Sequence, residues 1–226
     1  MDISRFFYEV KMDSELKSSI LKTGTTIFGI VCKDGVVMAS DRQSTAGNIV
    51  MNKNSEKTKK INDYLLFSGT GMVSGIQRTA KLLAAELKLK ELKSKSRPTV
   101  KQSANLLATI TYSDIRQPSM VTNIVGSLLG GYNEDGTTEL YTIAPDGSVI
   151  QVEDYDANFG SGMPFVLGLL ERQYKKNLTL DQGVELAKEA LRSSTQKDIG
   201  SGYGLDIFTI SKEEIKKVFE QEIKSE

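Results

Sequence analysis

Residues 22–47 read K-T-G-T-T-I-F-G-I-V-C-K-D-G-V-V-M-A-S-D-R-Q-S-T-A-G. Two β-rich runs, Thr26–Cys32 and Val36–Ser40, flank Lys33-Asp34-Gly35, and Asp-Gly between such runs is a strong short-range hairpin signal. The small junction Gly24-Thr25 precedes the first run, and Asp41 directly follows the second. Thr25 is a candidate nucleophile if cleavage of the Gly24–Thr25 bond makes it a new N-terminus. Thr25 and Thr26 equally suit ordinary strand positions for β-branched residues.

Outward from this hairpin, strands and helices come in runs. Ser44 to Asn54 is small and polar apart from Ile49–Met51, which predicts a surface loop with a short strand. Lys57-Thr58-Lys59-Lys60-Ile61 leads through an Asn62-Asp63 turn into a strand over Tyr64–Ser68, which Gly69-Thr70-Gly71 is expected to break. Ile76, Thr79, Ala80, Leu83, Leu87 and Lys90 recur at three- and four-residue spacing, predicting a long helix that fades near Ser94–Arg97. Pro98 with Thr99 opens a second helix in the favoured first turn, with Val100, Ala104, Leu107 and Ile110 on one side. Strands resume over Val121–Leu129, ending at Gly130-Gly131, and over Thr138–Ile143 and Val149–Val152. Pro164–Tyr174 reads as a helix, and a Thr179/Gln182 capping box heads another to about Lys197. Leu205–Ile210 is a strand, and Ser211 with Glu214 predicts a C-terminal helix over Lys212–Glu220. Residues 1–21 suit a loose amphipathic helix carrying Phe6, Val10 and Leu16, or a disordered tail.

Runs of this kind argue against a doubly wound parallel sheet. Two sheets packed face to face, with a helix pair outside each, bury every apolar face named. The chain shows no internal repeat, low-complexity segment or linker, so one α+β domain is expected.

Lys plus Arg balance Asp plus Glu at 29 each, leaving no global field to attract nucleic acid or anionic membrane. No apolar run approaches the ~20 residues that span a bilayer, and residues 1–24 mix charges without the apolar centre of a signal peptide. The lone Cys32 excludes a disulfide framework within the chain and fits a reducing compartment, so a cytoplasmic location is expected.

Histidine is absent, and that excludes a Ser-His-Asp triad, a Cys-His dyad or a histidine metal site within the chain. A hydrolase built from it must use a carboxylate, a lysine or a free α-amine as base. The α-amine of an N-terminal threonine, with an ordinary pKa of about 7.7–8.0, is partly neutral near pH 7. Gly24 suits the position before the cut, because it lets the backbone bend toward the Thr25 hydroxyl.

Asp41 and Lys57 can pair, and a buried Lys57 cation would lower the nucleophile's pKa; the alternative is a surface ion pair worth at most about 1 kcal/mol. Asp198, Ser201 and Gly202 form a small-residue loop where a carboxylate can orient a serine and an amine, or simply end a helix. Gly71 can aim its N–H at an oxyanion or serve a tight turn, and Ser161, between two glycines, is equally ambiguous. Gly69-Thr70-Gly71 lacks the rest of a phosphate loop, and Asp63, Asp135 and Asp146 make no metal-ligand pattern.

Taken together, K-T-G-T-T-I-F-G, D-G-V-V-M-A-S-D-R, S-T-A-G-N, Lys57, S-G-T-G, G-G-Y, L-Y-T-I-A-P-D-G-S, G-S-G-M-P-F-V-L-G-L-L-E and K-D-I-G-S-G-Y-G-L-D-I resemble a proteasome β-type subunit of the archaeal kind, in order, from Thr23 to Ile210. The resemblance implies the four-layer αββα sandwich of N-terminal nucleophile hydrolases, two mainly antiparallel sheets between two helix layers. It implies that residues 1–24 are a propeptide removed by autocatalysis and 25–226 one catalytic domain. By the same resemblance the catalytic set is Thr25, Asp41, Lys57, Asp198, Ser201, Ser161 and the oxyanion glycine Gly71. The resemblance also implies that Ser44, Ser55, Gly69, Val73 and Gln77 line the substrate pocket. With a small floor at Gly69 and no carboxylate among the five, neutral or apolar residues are expected before the cut, with Lys59 a further candidate to reach in.

The implied reaction is hydrolysis of peptide bonds in unfolded polypeptides through an ester acyl-enzyme, with no metal or organic cofactor. The implied partners are α subunits and other β subunits in stacked seven-membered rings, with a regulatory ATPase acting through the α-ring. Gln43, Gly75 and Lys197 depart from the family pattern without removing a catalytic group. A β-type subunit that builds the ring and cuts nothing is the alternative.

Overall fold

A computed structural model describes residues 24–119 and 123–222. The expected helix and propeptide before Gly24 lie outside the described residues.

Strands β1 (Ile27–Cys32) and β2 (Gly35–Asp41) form the anticipated hairpin, with Cys32 opposite Gly35, so that Lys33 and Asp34 alone make the turn. Gly35 therefore belongs to the strand. A Cβ there would stand 2.2 Å from the Ile210 carbonyl oxygen. Next come the short β3 (Ser44–Ala46) and β4 (Ile49–Asn52), then β5 (Thr58–Asn62) and β6 (Leu65–Gly71). The glycines at 69 and 71 do not break β6, which pairs with the later chain as far as Gly71 opposite Val125; cross-strand bonding holds what local propensity would interrupt.

Helices α1 (Val73–Ser94) and α2 (Val100–Ile115) follow. Thr99 is the N-cap of α2, in a capping box with Gln102, so Pro98 stands just outside the helix rather than in its first turn. Strands β7 (Val125–Tyr132), β8 (Thr138–Ile143), β9 (Val149–Gln151) and β10 (Tyr155–Asp156) precede α3 (Met163–Gln173) and α4 (Leu180–Lys197). Gly130 and Gly131 lie within β7 and do not end it. The Thr179/Gln182 box caps α4.

The chain closes with β11 (Gly204–Ile210) and β12 (Ile215–Glu222). The C-terminal helix expected over Lys212–Glu220 is thus a strand. Ser211 N–H donates to the Glu214 carbonyl across a hairpin turn, and β12 pairs along β11 from Ile215 to Glu222. The segment's lysines and glutamates favour a helix by propensity, but pairing along an open sheet edge overrides that weak preference.

The strands form antiparallel sheets in the orders β10-β1-β2-β11-β12 and β5-β6-β7-β8-β9, with β3-β4 a small ribbon of its own. Alternation along the strands sorts side chains into three cores. In β2, Val37 and Ala39 face α3 and α4, where they meet Val166, Leu170, Ala187 and Leu191. Val36 and Met38 face the other sheet and pack with Leu66, Leu128 and Leu140. In β6, Leu65 and Phe67 turn to α1 and α2, against Leu83, Leu87 and Leu107. Each fully buried large apolar side chain contributes about 1.5–3 kcal/mol by leaving water, and only a four-layer arrangement buries all three sets.

Candidate active site

The first hairpin carries the site. Where β1 and β2 end side by side, Asp41 N–H donates to the Thr26 carbonyl at 3.1 Å, and Thr26 N–H donates to Asp41 Oδ1 at 2.8 Å. The Asp41 carboxylate, fully buried, also accepts from Lys57 Nζ at 2.6 Å, Gln43 N–H at 2.9 Å and Gly202 N–H at 3.0 Å. Lys57 stands one residue ahead of β5 and is almost as buried, 7 % exposed. Burial pushes the Asp41 carboxyl up and the Lys57 ammonium down from their ordinary values; the ion pair opposes both shifts, the amide donors oppose that of Asp41, and the Asp198 carboxylate opposes that of Lys57. The pair is no surface bridge.

The Thr25 hydroxyl donates to the Gly24 carbonyl oxygen at 2.6 Å, and Lys57 Nζ approaches the same oxygen at 3.4 Å. Gly24 N–H is held by Thr45 Oγ1 at 2.6 Å. A second polar cluster meets Thr25 from the other side. Ser161 Oγ and Ser201 Oγ both donate to Asp198 Oδ2 at 2.6 Å, and Gly200 N–H donates to Oδ1 at 3.0 Å. With its proton committed to Asp198, Ser161 Oγ accepts the Thr25 N–H at 3.0 Å. Ser201 also bonds Thr26 Oγ1 at 2.7 Å, and Thr26 Oγ1 bonds Ser194. Asp198 is the C-cap of α4, and Ser161 lies two residues before α3, so both outer helices deliver groups to the hairpin's head.

Close backbone approach explains Gly24. A Cβ on it would fall 2.1 Å from Gly200 Cα, and one on Gly200 would fall 2.5 Å from Gly24 Cα. Gly71, the last residue of β6, has φ +108, a conformation suited to glycine.

A pocket with a volume of about 50 Å³ opens beside Thr25. Ser44, Ser55, Gly69, Val73 and Gln77 all line it, as do Gly24, Gly71 and Lys57. Three further side chains do so: Glu56, Lys59 and Ile76. None of the five expected residues carries a carboxylate, but Glu56 adds one to the wall. Thr45, Ser194 and Gly200 were also missed as site residues. Thr45 and Gly200 had only their membership of the S-T-A-G and D-I-G-S-G runs as a signal, and Ser194, inside α4, had none.

Between Asp41 and Gln43, Arg42 turns the other way. Its side chain is 2 % exposed and reaches Asp206 at 2.9 and 2.7 Å, Asn54 and Glu222 at 3.1 Å each, and Glu220.

Two antiparallel sheets between two helix layers, with a threonine, an aspartate and a lysine gathered at the head of the first hairpin, define the N-terminal nucleophile hydrolase fold. The family model described as "Proteasome subunit" matches residues 21–210. "Proteasome subunit beta" of Nanoarchaeum equitans is 40% identical over 195 residues, which cover 86% of this chain and 97% of that one. "Proteasome subunit beta 1" of Thermococcus kodakarensis is 38% identical over 202 residues, 89% of this chain and 96% of that one. "Proteasome subunit beta" of Methanopyrus kandleri is 36% identical over 196 residues, 86% and 90%. The chain belongs to the proteasome subunit family, as a β subunit that assembles with other subunits into the core particle. No described helix is long and apolar enough to cross a membrane.

Proposed function

We propose that this chain is a catalytic β subunit, a threonine endopeptidase that matures by cutting its own Gly24–Thr25 bond. The observation that carries the reading is the 2.6 Å hydrogen bond from the Thr25 hydroxyl to the Gly24 carbonyl, beside a buried Asp41–Lys57 ion pair. A buried charge pair is expensive to keep, and this one stands next to a scissile bond.

In self-cleavage, Thr25 Oγ adds to the Gly24 carbonyl carbon. The C–N bond breaks, the nitrogen takes the hydroxyl proton, and water hydrolyses the resulting ester. Residues 1–24 leave as a propeptide, and the nitrogen becomes an α-amine able to serve as base for the same hydroxyl. On a substrate, Oγ attacks the peptide carbonyl while the amine takes its proton, through a water, and passes it to the departing amine. Lys57, held by Asp41, keeps the site electropositive and lowers the cost of charge on the carbonyl oxygen; Gly71 N–H is assigned to the same oxyanion by resemblance. The Asp198 cluster orients the amine through Ser161.

Unfolded polypeptides are the proposed substrates, reached in the cytoplasm through α-rings and a regulatory ATPase, with the β subunits in seven-membered rings. Intact-mass measurement of assembled particles tests the reading. The expected chain begins at Thr25; one still carrying residues 1–24 in a fully assembled particle returns the subunit to a structural role. A Thr25→Ala variant is expected to assemble, keep residues 1–24 and lose peptidase activity, and retained activity would put the nucleophile elsewhere.

A further inference from the structure

The pocket beside Thr25 has a floor that a glycine alone does not explain. Alternation along β6 turns Gly69 toward α1, the face that Leu65 and Phe67 also present. A glycine there would ordinarily leave a deep, open floor. In this chain Ile76, in the first turn of α1, fills that space. A Cβ added at position 69 would meet Ile76 Cγ2 at 2.6 Å and Cγ1 at 3.1 Å, and Phe67 at 3.1 Å. The missing side chain of Gly69 is therefore complementary to Ile76 and does not lengthen the pocket. What remains is a volume of about 50 Å³, against the roughly 150 Å³ of a cavity that holds a benzene ring.

Three charged side chains line the pocket, Glu56, Lys57 and Lys59. Lys57 is paired with Asp41 at 2.6 Å, and Glu56 with Lys217 Nζ at 3.4 Å. An arginine entering would meet the lysines as like charges, and neither it nor a glutamate has the depth to extend above an isoleucine floor.

We infer that Ile76 sets the depth of this pocket, so that the bonds cut follow small aliphatic residues, alanine or valine, in preference to aromatic or charged ones. The inference rests on the peptidase reading above and sharpens it from apolar residues in general to small ones. The residue whose carbonyl Thr25 attacks lies at the pocket mouth, where Gly24 already stands among the lining residues.

The test compares kcat/KM of assembled, processed particles on one fluorogenic peptide backbone ending in Ala, Val, Leu, Phe, Arg or Glu. Wild-type particles should favour Ala and Val over Phe by about tenfold or more, the discrimination that a few methylenes of misfit produce. Ile76→Ala should raise the Phe/Ala ratio about tenfold, and Ile76→Val should raise it less. Gly69→Ala should depress cleavage of every peptide, and Ile76→Ala added to it should restore cleavage. A wild-type particle that cleaves Phe- or Arg-ended peptides faster than Ala-ended ones overturns the inference, as does an Ile76→Ala particle with an unmoved Phe/Ala ratio. Either leaves the peptidase reading standing. Assembled particles that have lost residues 1–24 and cleave no peptide overturn both.

Discussion

Gly24 shows how little freedom the link to Thr25 has. Its Cα packs against Gly200 Cα so closely that a methyl group on either backbone would overlap the other. No side-chain motion relieves such a clash, since both partners are main chain. Gly24→Ala is therefore expected to displace the carbonyl from the Thr25 hydroxyl and slow loss of residues 1–24 by at least an order of magnitude, read by intact mass over time; processing at the wild-type rate would mean that this contact does not govern the cut. The same residue marks what sequence could deliver. Gly24 and Thr25 were legible as a junction before a hairpin. The reason for glycine was not, because Gly200 lies 176 residues away in a loop that no local pattern connects to it.

Among the elements, β12 carries most that was hidden. Its composition reads as helix, and the strand exists because β11 offers an edge with a full set of partners. Once in place, β12 brings Glu220 and Glu222 to Arg42, and Lys217 to Glu56 and Asp206. The Arg42 backbone in turn ties down the chain just after Asp41: its N–H donates to the Gly204 carbonyl at 3.1 Å, and its own carbonyl accepts from Ser55 N–H at 2.8 Å. Arg42→Met should destabilise the fold by about 3 kcal/mol, at the low end for breaking a buried ion pair, because Lys217 remains 3.3 Å from the stranded Asp206. Glu220→Gln, on a half-exposed partner, should cost clearly less than that. Denaturant midpoints of the two variants check the order, and equal losses would refute it. The helices were more legible than the strand, since their three- and four-residue spacing and capping residues are local features. Strand limits at Gly71 and Tyr132 were not, because pairing partners decide them.

At the scale of the whole molecule, the period-two and helical patterns sufficed for four layers, yet the site draws on positions from 24 to 202, joined only when both sheets and the outer helices close. Cys32 offers a probe of that closure. It is buried under α4, where Gly183 gives it room, and burial with the nearby Asp34 carboxylate pushes its thiol up to about 12 from an ordinary 9.0. The folded chain holds that proton more tightly than the unfolded one. The thiol's contribution to stability is therefore complete below pH 9 and is lost as pH rises toward 12. A thiol reagent at pH 8 should find no reactive group in the native protein and one per chain in denaturant; rapid labelling under native conditions would show that this layer opens locally.

The bond between Gly24 and Thr25 also sets a clock. While it is intact, the Thr25 nitrogen is an amide whose lone pair is shared with the carbonyl, and it can only donate, as it does to Ser161. On the function proposed above, a chain in that form needs no inhibitor to keep it harmless during folding and docking. On the peptidase reading, the number of competent sites in a preparation equals the number of free threonine amines. Counting N-termini is then an active-site titration, available before any substrate is known.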